Sequence, residues 1–202
     1  MNDRLARALA AVDAANGEDP TSVDVDGQPV PRELVYGRRM SAWLERLVPD
    51  ASEALCLAVR AQHIQRWKVP RSAYPEGRTG YKRWRSELAR MHAELAARIA
   101  ADAGYDEATC ARIAEMIQKR GLRTNAETQT LEDVACLVFL EHHLGEFAAK
   151  HDRAKVIDVL RKTWPKMSER GHAAALGLAF DDEQRGLIQD ALSGAAPDPD
   201  DA

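Results

Sequence analysis

Four side chains with acid–base or metal-binding chemistry, His63, His92, Asp133 and Glu141, each fall inside a stretch of apolar residues. Imidazole and carboxylate donors carried on several helices can converge on one divalent ion, and apolar surroundings shift their pKa values and exclude water. His63, His92 and Asp133 are therefore the candidate ligands of a divalent ion (Mn, Fe, Zn or Mg), and Asp133 and Glu141 the candidate catalytic carboxylates. Each also has a plain structural role open to it. His63 would complete a core hydrogen-bond network, Asp133 follows Thr130 at capping-box spacing, and Glu141 would pair with a buried arginine. His142 and His143 are adjacent, so on a helix they diverge and cannot share an ion, and His151 and His172 sit near expected helix ends, where a capping or dipole role suffices.

Between the two candidate histidines the charge changes sign. The segment from Arg60 to Arg90 carries nine basic and two acidic side chains, a net of +7 inside a chain whose formal charge is −4. Trp67, Tyr74, Tyr81 and Trp84 are interleaved with it. Guanidinium groups grip phosphate through paired donors, and aromatic rings stack on bases or cover ligand carbon. Arg66, Trp67, Arg71, Tyr74, Arg78, Tyr81 and Arg85 are thus the candidate ligand- and phosphate-binding residues. The expected partner is a phosphorylated small molecule or a nucleotide, with nucleic acid as a further class. A solvated arginine-rich helix face over core aromatics would give the same pattern. The overall negative charge argues against a general polyanion binder, so any basic patch is local.

The elements that must position these residues read as helices. Ala, Leu, Glu and Arg dominate, and alternating β-branched runs are missing. The spacing predicts helices over about 2–15 and 32–47, from Asp50 to about Arg66, over 81–103, and from Asp106 to near Gly121. A nearly all-apolar helix is expected from Thr130 to Phe147, and shorter ones over 153–164, 169–178 and 182–193. Gly17 to Pro31 reads as a turn-rich connector; its Asp24 and Asp26 lack the further acidic ligands of a calcium loop. The stretch holding Pro70, Pro75, Gly77 and Gly80 reads as a second connector. The expected architecture is all-α, a compact multi-helix bundle forming one domain over 1–193, with a disordered acidic tail at 194–202.

Three dispersed cysteines without a CxxC pair read as small buried hydrophobes of a reducing compartment. No signal peptide and no membrane-length apolar run is evident, so the cytoplasm is the expected location and a membrane is not an expected partner. GxSxG, Walker A, HExxH and GxGxxG motifs do not occur.

The order of elements resembles the HD superfamily of helical metal-dependent phosphohydrolases. Tyr36-Gly37-Arg38-Arg39-Met40 resembles the family's first His helix, with Gly37 near the His place, and Ala61-Gln62-His63-Ile64 resembles the segment of the His-Asp pair, with Gln62-His63 in its stead. His92-Ala93-Glu94-Leu95-Ala96 resembles the segment of an additional His, and Thr130-Leu131-Glu132-Asp133-Val134-Ala135 that of the last Asp, matched by Asp133 or by Ala135. The likeness spans about 32–145 and implies an HD-like helical fold, a divalent ion and a phosphohydrolase reaction. The whole chain is also similar to an uncharacterised family catalogued as a domain of unknown function, through Ala61-Gln62-His63-Ile64-Gln65-Arg66-Trp67, Gly80-Tyr81-Lys82-Arg83-Trp84-Arg85 and Leu131-Glu132-Asp133-Val134-Ala135-Cys136-Leu137. That likeness implies no activity.

Two functional expectations follow. In one, an ion held by some of the four candidates activates water for attack on a phosphoryl centre oriented by Arg66, Arg71, Arg78 and Arg85. In the other, the scaffold binds a nucleotide, a short RNA or an acidic partner without catalysis. An apolar helix face that meets a partner is a third possibility. The oligomeric state is not encoded in any feature of the sequence.

Overall fold

The computed structural model describes residues 3–193; the expected tail at 194–202 lies outside the described residues. The described chain is predominantly helical, with one small sheet. It divides into two compact units, Met1–Leu131 and Glu132–Ala202. A single domain over 1–193 was the sequence expectation; one helix runs through the boundary between the units.

In the first unit, α1 (Asp3–Gly17) leads into strands β1 (Ser22–Val25) and β2 (Gln28–Pro31), which pair antiparallel with Val23 opposite Val30. The Gly17–Pro31 connector is therefore a hairpin. Its Asp26-Gly27 turn, with Asp24 Oδ1 accepting from the Gly27 N–H at 3.1 Å, is the aspartate chemistry read from the sequence. Then come α2 (Arg32–Leu47) and α3 (Glu53–Arg60). The cap of α3 is Ser52, whose Oγ accepts from the Leu55 N–H at 3.1 Å, rather than Asp50.

The helix expected to continue to Arg66 stops at Arg60, and a series of turns follows with Gln65 in the left-handed region at φ 52°. Short 3-10 turns at Arg66–Lys68 and Arg71–Ala73 lead to α4 (Gly77–Asp102), which starts four residues earlier than its apolar stripe predicts. Gly80 makes that early start workable. A Cβ there would stand 1.9 Å from the Pro75 carbonyl oxygen, so only glycine lets the connector fold back on the first turns of α4. After α5 (Glu107–Ile117), capped by Asp106, the core of this unit includes Trp43, Leu57, Ile64, Leu88, Ile113 and Met116.

α6 (Ala126–His142) begins at an Asn125 cap, whose Oδ1 accepts from the Glu127 and Thr128 N–H groups at 3.0 Å. Thr130 is thus inside the helix, its hydroxyl donating to the Ala126 carbonyl at 2.8 Å, and it is not the cap of a box with Asp133. The chain breaks at His143 and resumes as α7 (Leu144–Lys150). The second unit continues with α8 (Arg153–Thr163), α9 (Glu169–Leu176) and α10 (Asp182–Ser193); α8 packs on α10. No described helix is long and apolar enough to cross a membrane.

Candidate anion-binding cavity

The turns after α3, the middle of α4 and the end of α5 line an open pocket of about 230 Å³ in the first unit. It is lined by Gln62, His63, Arg66, Arg85, His92 and Lys119, among others. The lining residues come from three separate parts of the chain, so the fold rather than one motif assembles it.

His92 lies on the inner face of α4, 3 % exposed. Its Nδ1 stands 2.7 Å from the Ile64 carbonyl oxygen. A carbonyl only accepts, so Nδ1 carries the proton and Nε2 keeps its lone pair. That Nε2 is buried without a hydrogen-bond partner among the described residues. Burial, reinforced by Arg66 and Arg85, pushes the His92 pKa down to about 4, so the ring is neutral at physiological pH.

His63 follows α3 in the irregular turns. Its ring stacks on Tyr36 with centroids 4.2 Å apart and lies 5.9 Å from that of His92. Its Nδ1 is 3.7 Å from Glu33 Oε2, beyond hydrogen-bond distance. Burial, then the charges of Arg66, His92, Arg85 and Lys119, holds His63 well below the usual histidine range.

Glu33 is buried at the start of α2, where its own N–H is capped by Asp19 Oδ2 at 3.1 Å. Burial pushes its carboxyl up to about 7, against the opposing charges of Arg66 and Arg32. The signal for Glu33 in the sequence was slight, because a glutamate in a first helical turn is ordinary dipole chemistry.

Arg66 is half-buried, its guanidinium 4.8 Å above the Trp84 ring, and no side chain among the described residues accepts a hydrogen bond from it. Burial and the neighbouring Arg85 lower its pKa. Arg85 lines the same cavity and likewise has no hydrogen-bonded or ion-paired partner among the described residues. Lys119 joins them from beyond α5, held in the left-handed region at φ 58°. Nothing in the sequence tied Lys119 to a segment ending at His92. Arg66, Arg85 and Lys119 thus bring three cationic side chains to one pocket, with the buried Glu33 carboxyl acting on Arg66 from behind His63.

The remaining expected site residues have other work. Arg71 donates to the carbonyls of Tyr74 and Pro75, both at 2.9 Å, and so braces the connector. Trp67 and Tyr74 are half-buried and do not line the cavity. Arg78 is exposed in the first turn of α4, and Tyr81, 49 % exposed, packs its ring 5.7 Å from that of Trp84.

Asp133, expected as a metal ligand and catalytic carboxylate, belongs to the second unit. Its Oδ1 accepts from the Ser168 N–H at 2.8 Å and its Oδ2 from the Ser168 hydroxyl at 2.5 Å, which fixes the cap of α9. Glu141, expected on a buried face, is exposed and stands 2.9 Å from His142 Nε2. Among the described residues no group of three or more His, Cys, Asp or Glu side chains is placed to hold a metal ion.

The comparison of the full sequence with protein families gives one match, to the family described as "Domain of unknown function (DUF4202)", over residues 6–188. The chain belongs to the DUF4202 family. The match runs through both units and contains the whole cavity. No curated protein and no solved structure matches the chain.

In this DUF4202 chain the residues do not fit the ion that the HD likeness implies. A Cβ on Gly37, near the place of the first His, would stand 3.0 Å from the Arg60 carbonyl oxygen and 3.3 Å from its Cδ. Arg60 is itself fixed by paired bonds to Asp13 at 2.7 and 2.6 Å. Asp133 is engaged by Ser168, and the cavity beside the two histidines is lined by cations.

Proposed function

We propose that the cavity binds the phosphoryl group of a phosphorylated small molecule or nucleotide, with Arg66 and Arg85 as the principal donors and Lys119 adding charge. The observation that supports this most directly is Arg66, a half-buried guanidinium over the Trp84 ring that lines the pocket beside Arg85 and donates to no side chain among the described residues. A half-buried guanidinium whose donors meet no side-chain acceptor is suited to the paired acceptor oxygens of a phosphate. A volume near 230 Å³, below the roughly 300 Å³ of drug-sized sites, suits a small ester better than a nucleic-acid strand. Thermal denaturation with inorganic phosphate and with AMP at matched ionic strength tests the reading. A rise in Tm with either ligand supports it, and no shift with either ligand at millimolar concentration contradicts it.

A second reading, hydrolysis of the bound ester, is favoured by Glu33 and His63. A carboxyl with a pKa of about 7 is poised for proton transfer near neutral pH, and His63 lies between it and the cavity. Release of p-nitrophenol from its phosphate ester, assayed with and without added Mn, Zn or Mg, tests this. Turnover lost on Glu33→Gln supports catalysis, whereas no turnover under any condition leaves a binding protein.

A further inference from the structure

From its N-terminal end, α4 first contributes to the pocket at Arg85, and one turn before that residue on the same face stands an aromatic ring. Tyr81 precedes Arg85 by four residues, so the two side chains are neighbours on the helix surface. Tyr81 and Arg66 also pack against one indole: the Tyr81 ring centroid is 5.7 Å from that of Trp84, and the Arg66 guanidinium carbon is 4.8 Å from it. After burial, Arg85 and Glu33, the Tyr36 and Tyr81 hydroxyls act on the Arg66 charge, which sets Tyr81 on the Arg66 side of the pocket. Trp84 is buried, whereas Tyr81 is 49 % exposed and is the one exposed aromatic ring among the described residues. Its plane is tilted 52° to the indole, so the contact with Trp84 does not cover its face.

We infer that the ligand is a nucleoside monophosphate whose phosphate is held by Arg66 and Arg85 and whose base stacks on the exposed Tyr81 ring at the rim of the pocket. This rests on the anion-binding reading and adds the ligand class to it. One helical turn, about 5.4 Å of rise, separates Tyr81 from Arg85, and a ribose spans that distance between base and phosphate. The open pocket of about 230 Å³ then takes only phosphate and ribose, while the base stays at the surface. An alkyl or polyol phosphate offers nothing to the ring. Every base has a π-face, so Tyr81 selects nucleotides as a class rather than one base.

The test is isothermal titration of the full chain, of Tyr81→Ala and of Tyr81→Phe with AMP, ribose 5-phosphate and inorganic phosphate at one salt concentration. AMP and ribose 5-phosphate share phosphate and sugar and differ in the base. The wild-type chain is expected to bind AMP at least about fivefold more tightly than ribose 5-phosphate. That ratio is expected to fall to about twofold or less in Tyr81→Ala and to persist in Tyr81→Phe, which keeps the ring and loses only the hydroxyl. Equal affinity for AMP and ribose 5-phosphate in the wild-type chain, or tighter binding of ribose 5-phosphate, overturns the inference while leaving anion binding intact. A preference for AMP that survives Tyr81→Ala also overturns it, because the base then rests elsewhere. A preference lost in Tyr81→Phe as well assigns the effect to the hydroxyl and overturns the stacking. Failure of all three ligands to bind the wild-type chain removes the anion-binding reading, and this inference with it.

Discussion

Glu33 and His92 perturb stability in opposite directions with pH, and both effects come from burial. Glu33 is raised from about 4.5 to about 7 on folding, so the native state holds its proton more tightly than the unfolded chain. Stability therefore falls as pH rises from about 4.5 through 7, and above that range the full cost of burying the carboxylate, about 3 kcal/mol, is present. Glu33→Gln is expected to raise Tm at pH 8 and leave it nearly unchanged at pH 5, as measured by scanning calorimetry. His92, lowered from 6.5 to about 4, works the other way: stability is complete above 6.5 and is lost as pH falls toward 4. His92→Phe is expected to flatten that acid limb. The two histidines were legible in the sequence because imidazoles stand out in apolar stretches. Glu33 and Lys119 were not, since each is an ordinary surface residue type until the fold buries Glu33 beside His63 and carries Lys119 to the pocket.

At the scale of elements, the connector before α4 folds back on that helix's first turns. Gly80 passes the Pro75 carbonyl too closely for any side chain, and Arg71 ties the same carbonyl and that of Tyr74. Gly80→Ala is expected to destabilise the chain by about 1–3 kcal/mol in chemical denaturation, because the clash is with backbone. Arg71→Ala is expected to weaken the connector without removing a cavity donor. Most helices could be placed from apolar spacing and stop signals: α2 lies at 32–47 as its Pro31 entry predicts, and Gly104 follows the end of α4. The misplaced boundaries share one cause. Gln62, His63 and Gln65 sit beyond the true end of α3, in turns whose left-handed residue is not glycine, and periodicity carries no signal for such a break. The hairpin was missed because its strands are four residues each, too short for alternation to register.

For the molecule as a whole, the described chain has two compact units. Asp133 serves the second unit through Ser168, and the cavity belongs to the first. Asp133→Ala, which leaves the Ser168 groups unpaired, is expected to cost about 3 kcal/mol of stability and to leave phosphate affinity unchanged below its lowered Tm. The helical class followed from composition, and local charge drew attention to the segment that contributes Arg66 and Arg85 to the pocket. The grouping of His63 and His92 with Asp133 was drawn from a resemblance; Gly37, near the place of that family's first His, is closed off by Arg60, and Asp133 braces the cap of α9. The central claim is that Arg66 and Arg85 form an anion site. Titration calorimetry of inorganic phosphate into the wild-type chain, Arg66→Ala and Arg85→Ala, at 50 mM and 200 mM salt, tests it most directly. Wild-type binding is expected to weaken with salt and to fall at least about tenfold in Arg66→Ala. Binding that is equally tight in all three proteins, or absent from the wild-type chain, would contradict it.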